Sequence, residues 1–168
     1  MAEDAKGWNR LEWEIEFTRQ GVDGHWTEST VNATYSVCDT YPRRLWMPTE
    51  CTPQLILGSS SFRSKGRLPV LSYFHRPSNA SICRCAQPLA GFSARCVEDE
   101  TMMELIGKTN EHNQQLFLID TRPMVNAMVN KVQGKGFEDE KKYSNLRFHF
   151  FDIENIHVMR TSQQKLVE

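Results

Sequence analysis

The spacing of apolar residues along this chain switches between a helical period and short continuous runs, which predicts helices that alternate with strands. The first helical pattern covers residues 8–17 and ends near Gly21. The apolar residues that share one face of this helix are Trp8, Leu11 and Ile15. Because Trp13 and Phe17 lie off that face, we expect the helix to contact partners on two sides.

The middle of the chain predicts an extended segment followed by an antiparallel strand pair. Residues 35–48 are punctuated by two prolines, which favours an extended course. Residues 68–74 form an apolar run typical of a buried strand, and residues 81–85 are its expected antiparallel neighbour. Between them, residues 76–79 read Arg-Pro-Ser-Asn, a sequence typical of a turn.

The next part of the chain predicts two helices on either side of a strand. Three acidic residues open a helix over residues 98–108, where the helix dipole favours negative charge. The short apolar run 116–119 predicts a buried strand. Pro123 suits the first position of a second helix, which Gly134 ends. The apolar face of that helix consists of Val125, Met128, Val129 and Val132.

A last strand over residues 147–151 leads into a helix that runs to Glu168. Strands that alternate with helices in this way indicate an α/β domain. The sequence therefore predicts a central mixed sheet, partly parallel and flanked by helices.

Composition and charge narrow the class of protein. The chain has 168 residues, of which 39% are hydrophobic and 24% charged, which suits a soluble globular domain. A formal net charge of −1 gives no overall attraction to nucleic acid or to an anionic membrane. No apolar run approaches the roughly 18 residues that span a bilayer, and the first six residues lack a secretory signal core. Five cysteines without a framework spacing favour a reducing cytosol.

None of the five cysteines is predicted to be a nucleophile. A cysteine phosphatase holds its thiolate in a tight loop of backbone N–H groups with one arginine. Cys38 and Arg44 have the bare spacing of such a loop, but the segment lacks glycine and Pro42 removes an N–H group. Cys83 and Cys85 would need two further ligands to bind a metal, and the sequence places none beside them. We expect structural cysteines, no metal and no cofactor.

Two basic groups have both a binding and a structural interpretation. Arg63, Lys65 and Arg67 follow a Gly-Ser-rich stretch and either attract anionic lipid or form a solvated turn with an ion pair. Arg122 lies between a predicted strand and a predicted helix, where α/β sheets place ligand groups. It pairs either with a phosphate or with a carboxylate such as that of Asp120. The structural alternative is favoured for both groups.

Asn155 is the candidate binding residue, because it follows the last predicted strand and starts the last helix. Its amide can donate to, and accept from, a sugar hydroxyl or a phosphate. The same position also suits an asparagine that caps the helix. Both interpretations fit the residue and its place in the chain.

Five sequence blocks, in the same order, resemble those of the myotubularin family of phosphoinositide 3-phosphatases. Residues 61–73, Ser-Phe-Arg-Ser-Lys-Gly-Arg-Leu-Pro-Val-Leu-Ser-Tyr, are similar to its Phe-Arg-Ser-Arg-Gly-Arg-x-Pro-Val-Leu-Ser block. Residues 84–91, Arg-Cys-Ala-Gln-Pro-Leu-Ala-Gly, resemble Arg-Cys-Ser-Gln-Pro-Leu-x-Gly. Residues 120–127 resemble Asp-x-Arg-Pro-x-x-Asn-Ala, residues 135–138 resemble Gly-Gly-Tyr-Glu, and residues 155–160 read Asn-Ile-His-Val-Met-Arg. Two more segments, Phe-Ser-Ala-Arg-Cys and Tyr-Ser-Asn, resemble the branch containing myotubularin-related proteins six, seven and eight.

The resemblance implies a cysteine-phosphatase-like α/β fold that is incomplete at its C-terminal end. Residues 1–21 correspond to a linker helix and residues 22–168 to the N-terminal half of the phosphatase domain. The implied activity is hydrolysis of the 3-phosphate of phosphatidylinositol 3-phosphate and 3,5-bisphosphate. The family's catalytic Cys-x5-Arg loop is absent from these 168 residues, so we expect no catalytic residue here and no activity from this chain alone. The alternative is a non-catalytic adaptor that binds an active myotubularin.

The resemblance also bears on Asn155 and on the partners. Asn155 matches the asparagine with which the family contacts the inositol headgroup, so headgroup contact is favoured over capping alone. The implied location is cytoplasmic, peripheral at endosomal or other phosphoinositide-containing membranes. Homo- or hetero-oligomers with myotubularin-related proteins are the implied protein partners, and nucleic acid is not expected.

Overall fold

The structure is a computed structural model that describes residues 12–22 and 24–168. The helices are α1 (Trp13–Gln20), α2 (Pro53–Phe62), α3 (Val97–Lys108), α4 (Met124–Val132) and α5 (Ile156–Val167). The strands are β1 (Trp26–Ser29), β2 (Leu45–Pro48), β3 (Val70–His75), β4 (Ala80–Arg84), β5 (Leu116–Asp120) and β6 (Leu146–Phe150). This mixture confirms the predicted α/β class. Within the described ranges, no helix has both the length and the apolar character needed to cross a bilayer.

The strands of the described residues form three separate two-stranded sheets, so the single central mixed sheet predicted from the sequence is not present there. β1 pairs antiparallel with β2, and β3 pairs antiparallel with β4, as expected for the second pair. β5 runs parallel to β6, with Leu116 opposite Leu146 and Asp120 opposite Phe150. A parallel pair needs a crossover connection, and α4 lies within that connection. The predicted parallel component is therefore confirmed, while the sheet around it is smaller than predicted.

One core holds the first part of the chain together. It is built from α1, α2, α3 and strands β1 to β3, and Tyr143 and Leu146 join it from the C-terminal part of the chain. Its other members include Phe17, Trp46, Met47, Ile56, Leu68, Phe74, Met102 and Ile106. Small residues let α2 approach α3 closely, since a Cβ atom at Gly58 would meet Glu98 Cγ at 2.5 Å. This packing places the turn after α2 beside the start of α3.

The apolar face predicted for the first helix does not pack on the core at Ile15, its one member among the described residues. Trp8 and Leu11 lie outside the described residues. Within α1, Ile15 is 64% exposed, whereas Phe17 is buried against Trp46 with ring centroids 4.6 Å apart. The aromatic side chains, which bury more apolar area, determine which face of the helix packs on the core.

The structure forms α2 at Pro53–Phe62, where the sequence pattern predicts no helix. Thr52 caps it by accepting a hydrogen bond from the Leu55 N–H, and Pro53 occupies the first turn. Its Gly-Ser-Ser-Ser stretch is typical of a loop, but Ser59 and Ser60 are buried against other elements. Tertiary packing thus overrides the weak helix propensity of these residues.

The C-terminal part of the chain exposes apolar side chains that the sequence predicts to be buried. We call this set the C-terminal apolar surface; its members include Phe117, Ile119, Val125, Met128, Val129, Val132, Ile156 and Met159. β5 is therefore only partly buried, and the apolar face of α4 forms as predicted but is open to solvent. Apolar faces of this kind are normally covered by another layer of secondary structure.

Candidate functional site

A cavity of about 430 Å³ opens at the carboxyl end of β5. Four segments line it: the turn after α2, the residues that follow β4, the end of β5 with the loop before α4, and the residues that follow α4. Its charged or amide-bearing lining residues are Lys65, Arg67, Gln87, Asp120, Arg122, Lys135 and Glu138. The carboxyl ends of parallel strands are the usual position of ligand sites in α/β sheets, so this cavity is the candidate site.

The Arg122 side chain is held within the site by protein groups. Its guanidinium contacts the Asp120 carboxylate, with Nε 2.9 Å from Oδ1 and Nη2 2.5 Å from Oδ2. It also donates to Gln87 Oε1 and, over 3.0 Å, to the Gly136 carbonyl. The structural alternative favoured from the sequence, pairing with Asp120, is confirmed.

The three residues of the predicted basic cluster, Arg63, Lys65 and Arg67, do not lie together on one exposed surface. Arg63 is fully buried, Lys65 is exposed and Arg67 is half-buried. Lys65 adopts left-handed backbone with φ of 58°, which costs a residue with a side chain roughly 1 kcal/mol. The next residue must be glycine, because a Cβ atom at Gly66 would lie 2.3 Å from the Val37 carbonyl oxygen.

Buried Arg63 is the centre of an ion network that joins three parts of the chain. It binds Asp99 in a bidentate manner, with Nε–Oδ1 at 2.8 Å and Nη2–Oδ2 at 2.6 Å, and it also pairs with Glu138. Asp99 accepts further hydrogen bonds from Ser59 Oγ at 2.7 Å and Tyr143 Oη at 3.1 Å. Burial raises the pKa of Glu138, and the charge of Arg63 opposes that shift. The sequence pattern around Arg63 gave no signal of these partners.

The Asn155 side chain caps α5. Its Oδ1 accepts from the N–H groups of His157 and Val158 at 2.9 and 3.2 Å. The amide nitrogen of Asn155 has no partner among the described residues. One carboxamide can therefore cap the helix with its oxygen and still donate to a ligand with its nitrogen.

Backbone pairing brings the segment before Asn155 to the carboxyl end of β5. The Phe151 N–H donates to the Asp120 carbonyl over 2.9 Å, and the Ile153 N–H donates to the Thr121 carbonyl over 2.8 Å. These hydrogen bonds hold the segment that leads into α5 against the carboxyl end of β5, where the cavity also opens.

The surroundings of Cys38 differ from those of a phosphatase nucleophile. Cys38 is 2% exposed, and its backbone N–H donates to Asn32 Oδ1 over 2.9 Å. Arg44, six positions on, pairs with Glu14 and Glu28. A guanidinium held by two carboxylates is not available to a phosphate at Cys38.

The cysteines that flank the core have the properties of buried thiols. Burial raises the pKa of Cys83, and it raises that of Cys51 to about 12. Both thiols are therefore protonated at neutral pH and are poor nucleophiles. In residues 12–22 and 24–168, no group of His, Cys, Asp and Glu side chains could hold a metal ion.

Comparison with known proteins gives a consistent result along the whole chain. The family described as Myotubularin-like phosphatase domain matches residues 1–168. The chain is 65% identical to the phosphatidylinositol-3,5-bisphosphate 3-phosphatase MTMR6 of Caenorhabditis elegans over 99% of this chain and 25% of that protein. Identity to human MTMR6 is 52% over 99% of this chain and 27% of the relative. Identity to the human phosphatidylinositol-3-phosphate phosphatase MTMR7 is 51% over 99% of this chain and 25% of that relative. The chain thus spans about a quarter of the length of these relatives.

Proposed function

This chain belongs to the myotubularin-like phosphatase family, and we propose that it is part of a phosphatase that removes the 3-phosphate from phosphatidylinositol 3-phosphate and 3,5-bisphosphate. The observation that carries the proposal is the family match over residues 1–168, together with relatives named for these two activities. We call the whole polypeptide, of which this chain would be one part, the full-length protein.

The proposed architecture divides the chain at residue 21, with a linker helix before it and part of a cysteine-phosphatase-like domain over residues 22–168. In this domain β5 and β6 would belong to a larger mixed sheet. Two observations support that arrangement: β5 and β6 are parallel, and Phe117 and Ile119 of β5 are exposed. Parallel sheets in α/β proteins are covered on both faces, so further strands and helices would complete this one.

The proposed chemistry is attack by a cysteine thiolate on the 3-phosphate, which forms a cysteinyl-phosphate that water then hydrolyses. The nucleophile would come from a segment outside these 168 residues. The contribution of this chain would be the scaffold and part of the headgroup pocket. We further propose that the protein acts as a peripheral protein at phosphoinositide-containing membranes such as endosomes, and that it pairs with itself or with related myotubularins.

Asn155 is the proposed contact to the inositol headgroup. Three features support it: the residue is exposed, it lies at the start of α5, and its amide nitrogen is unused by the described residues. A donor in this position can bind a hydroxyl or a phosphate oxygen of the headgroup. Its oxygen would remain engaged by the first turn of α5, which fixes the direction of the amide.

Replacing Asn155 with alanine in the full-length protein should lower kcat/KM on phosphatidylinositol 3-phosphate by about five- to two-hundredfold, the equivalent of about 1–3 kcal/mol. Loss of the cap should also destabilise α5 by about 1 kcal/mol. Asn155→Ser separates the two effects, because serine caps a helix as well as asparagine does but has no amide to donate. We expect normal thermal stability and reduced turnover for Asn155→Ser. Normal turnover per folded molecule in both variants would leave Asn155 as a cap only.

A further inference from the structure

A second cavity, of about 400 Å³, is lined by residues of α1, β2, β3 and β4, and we call it the aromatic cavity. Three of its lining residues form a continuous series of rings. Trp13 stacks on Phe17 with ring centroids 5.8 Å apart, and Phe17 packs on Trp46 at 4.6 Å. These rings offer a large apolar area to a ligand, and the volume falls in the range typical of small-ligand pockets, roughly 300–1,000 Å³.

The charged part of the lining is entirely basic. Among the described residues, Arg44, Arg67 and Arg84 line the aromatic cavity, and no aspartate or glutamate does. Arg44 is neutralised from outside the cavity, because it pairs with Glu14 and Glu28. Arg67 and Arg84 form no ion pair with any residue of the described ranges. The cavity therefore presents two unneutralised guanidinium groups together with its aromatic rings.

Backbone pairing carries these two arginines on neighbouring segments. Arg84 ends β4 opposite Val70, and two residues later the Ala86 N–H donates to the Arg67 carbonyl over 2.9 Å. Arg67 Nε donates to Thr40 Oγ1 over 2.9 Å, so its Nη1 and Nη2 atoms have no partner among the described residues. Guanidinium groups bind carboxylates through strong, charge-assisted hydrogen bonds that fit the planar carboxylate.

The segment that joins these walls, residues 40–44, is fixed by protein contacts. The Tyr41 hydroxyl donates to the Leu68 carbonyl over 3.1 Å, which holds the segment next to the start of β3. The pairing of Arg44 with Glu14 attaches the same segment to α1. A cavity whose walls are already ordered loses little conformational entropy when a ligand binds.

We infer that the aromatic cavity binds a small organic anion with a flat apolar body and one carboxylate. The body would lie against the rings of Trp13 and Trp46, and the carboxylate would be received by Arg67 and Arg84. The inference goes beyond the proposed function and does not depend on it. The aromatic cavity nevertheless adjoins the candidate site, since Arg67, Cys85 and Ala86 line both.

Saturation-transfer NMR on the full-length protein, with 2-naphthoate as the probe, tests this site. We expect a Kd of about 1 mM or lower, the affinity typical of a ligand of this size. The neutral analogue 2-naphthamide lacks the charge and acetate lacks the apolar body, so each should bind at least about tenfold more weakly. Equal affinities of 2-naphthoate and 2-naphthamide, or no saturation transfer at millimolar 2-naphthoate, would overturn the inference.

Arg84→Gln in the full-length protein tests the carboxylate contact, with Arg147→Gln as the matched control. Arg84 is exposed and its side chain has no partner among the described residues, so the variant should unfold at the wild-type temperature. It should weaken binding of 2-naphthoate about tenfold and leave that of 2-naphthamide unchanged. Arg147 is an exposed strand residue outside the aromatic cavity, and its replacement should change neither affinity. Equal effects of the two variants would reject the role of Arg84.

Trp13→Leu tests the contact to the apolar body, with Ile15→Ala as its control on the same helix. The variant keeps an apolar side chain but removes a ring from the lining, so both naphthalene probes should bind about two- to tenfold more weakly. Ile15 is 64% exposed and lies outside the aromatic cavity, so Ile15→Ala should bind both probes as wild type does. Wild-type affinities in Trp13→Leu would contradict the assignment. Because every readout is binding, a full-length protein that hydrolyses neither lipid would refute the proposed function and leave this test valid.

Discussion

Replacing Arg63 with methionine should lower the free energy of unfolding of the full-length protein by about 3–5 kcal/mol. Arg63 is completely buried between the carboxylates of Asp99 and Glu138. Methionine nearly fills its volume but leaves two carboxylates in the interior without a positive partner. The expected loss is large because removing one member of a buried ion network leaves unpaired charge behind, whereas replacing the whole network by apolar groups is often tolerated.

Arg95→Met is the matched control for this prediction. Arg95 pairs with Glu100 at 2.6 Å, but its side chain is 58% exposed. Surface ion pairs contribute about 0–1 kcal/mol, so this variant should stay within that range. The measurement is the urea dependence of unfolding for both variants and wild type. Similar unfolding midpoints for Arg63→Met and Arg95→Met would contradict the structural role given to the buried network.

The isolated 168-residue chain should self-associate at micromolar concentration and bind a hydrophobic dye. The C-terminal apolar surface, with Phe117 62% and Val132 80% exposed, presents large side chains to water. The edges of the β5–β6 pair add backbone groups that can pair with another chain. Exposed apolar surface of this extent is a site of association or aggregation.

The variant Val125→Lys/Val132→Glu tests whether this surface drives association. Both residues lie on the exposed face of α4, so the charges should increase solubility without disturbing the core. Light scattering and dye fluorescence of the two proteins give the comparison. A wild-type chain that stays monomeric and melts in one cooperative transition would show that the C-terminal apolar surface does not drive association.

Sequence patterns predicted the elements whose signals are local. α3 carries acidic residues in its first turn, the β3–β4 hairpin has a proline-containing turn, and both formed close to the predicted bounds. α2 was missed because its Gly-Ser-Ser-Ser stretch has poor helix propensity, and close packing on α3 compensates for it. The predicted central sheet is absent from the described residues, since strand partners are chosen by tertiary contacts that a local pattern does not contain.

The candidate site was predicted in part. Pairing of Arg122 with Asp120 followed from their spacing, because a carboxylate at a strand end needs a nearby cation. The separation of Arg63 from Lys65 and Arg67 could not be predicted, because Arg63 points into the core through contacts with Asp99, which lies 36 residues further along the chain. The match of residues 1–168 to the family supports the proposed function more directly than any single residue does.

Phosphate release from phosphatidylinositol 3-phosphate vesicles, measured in parallel for the full-length protein and for residues 1–168, tests the central claim most directly. We expect turnover by the full-length protein and none by the isolated chain, because Cys38 is buried with its backbone N–H bonded to Asn32 Oδ1, and burial raises the pKa of the other four thiols. No turnover by the full-length protein would contradict the phosphatase assignment and favour a non-catalytic adaptor that binds an active relative. Turnover by residues 1–168 that disappears on Cys38→Ser would contradict the claim that this chain supplies only scaffold and headgroup contacts.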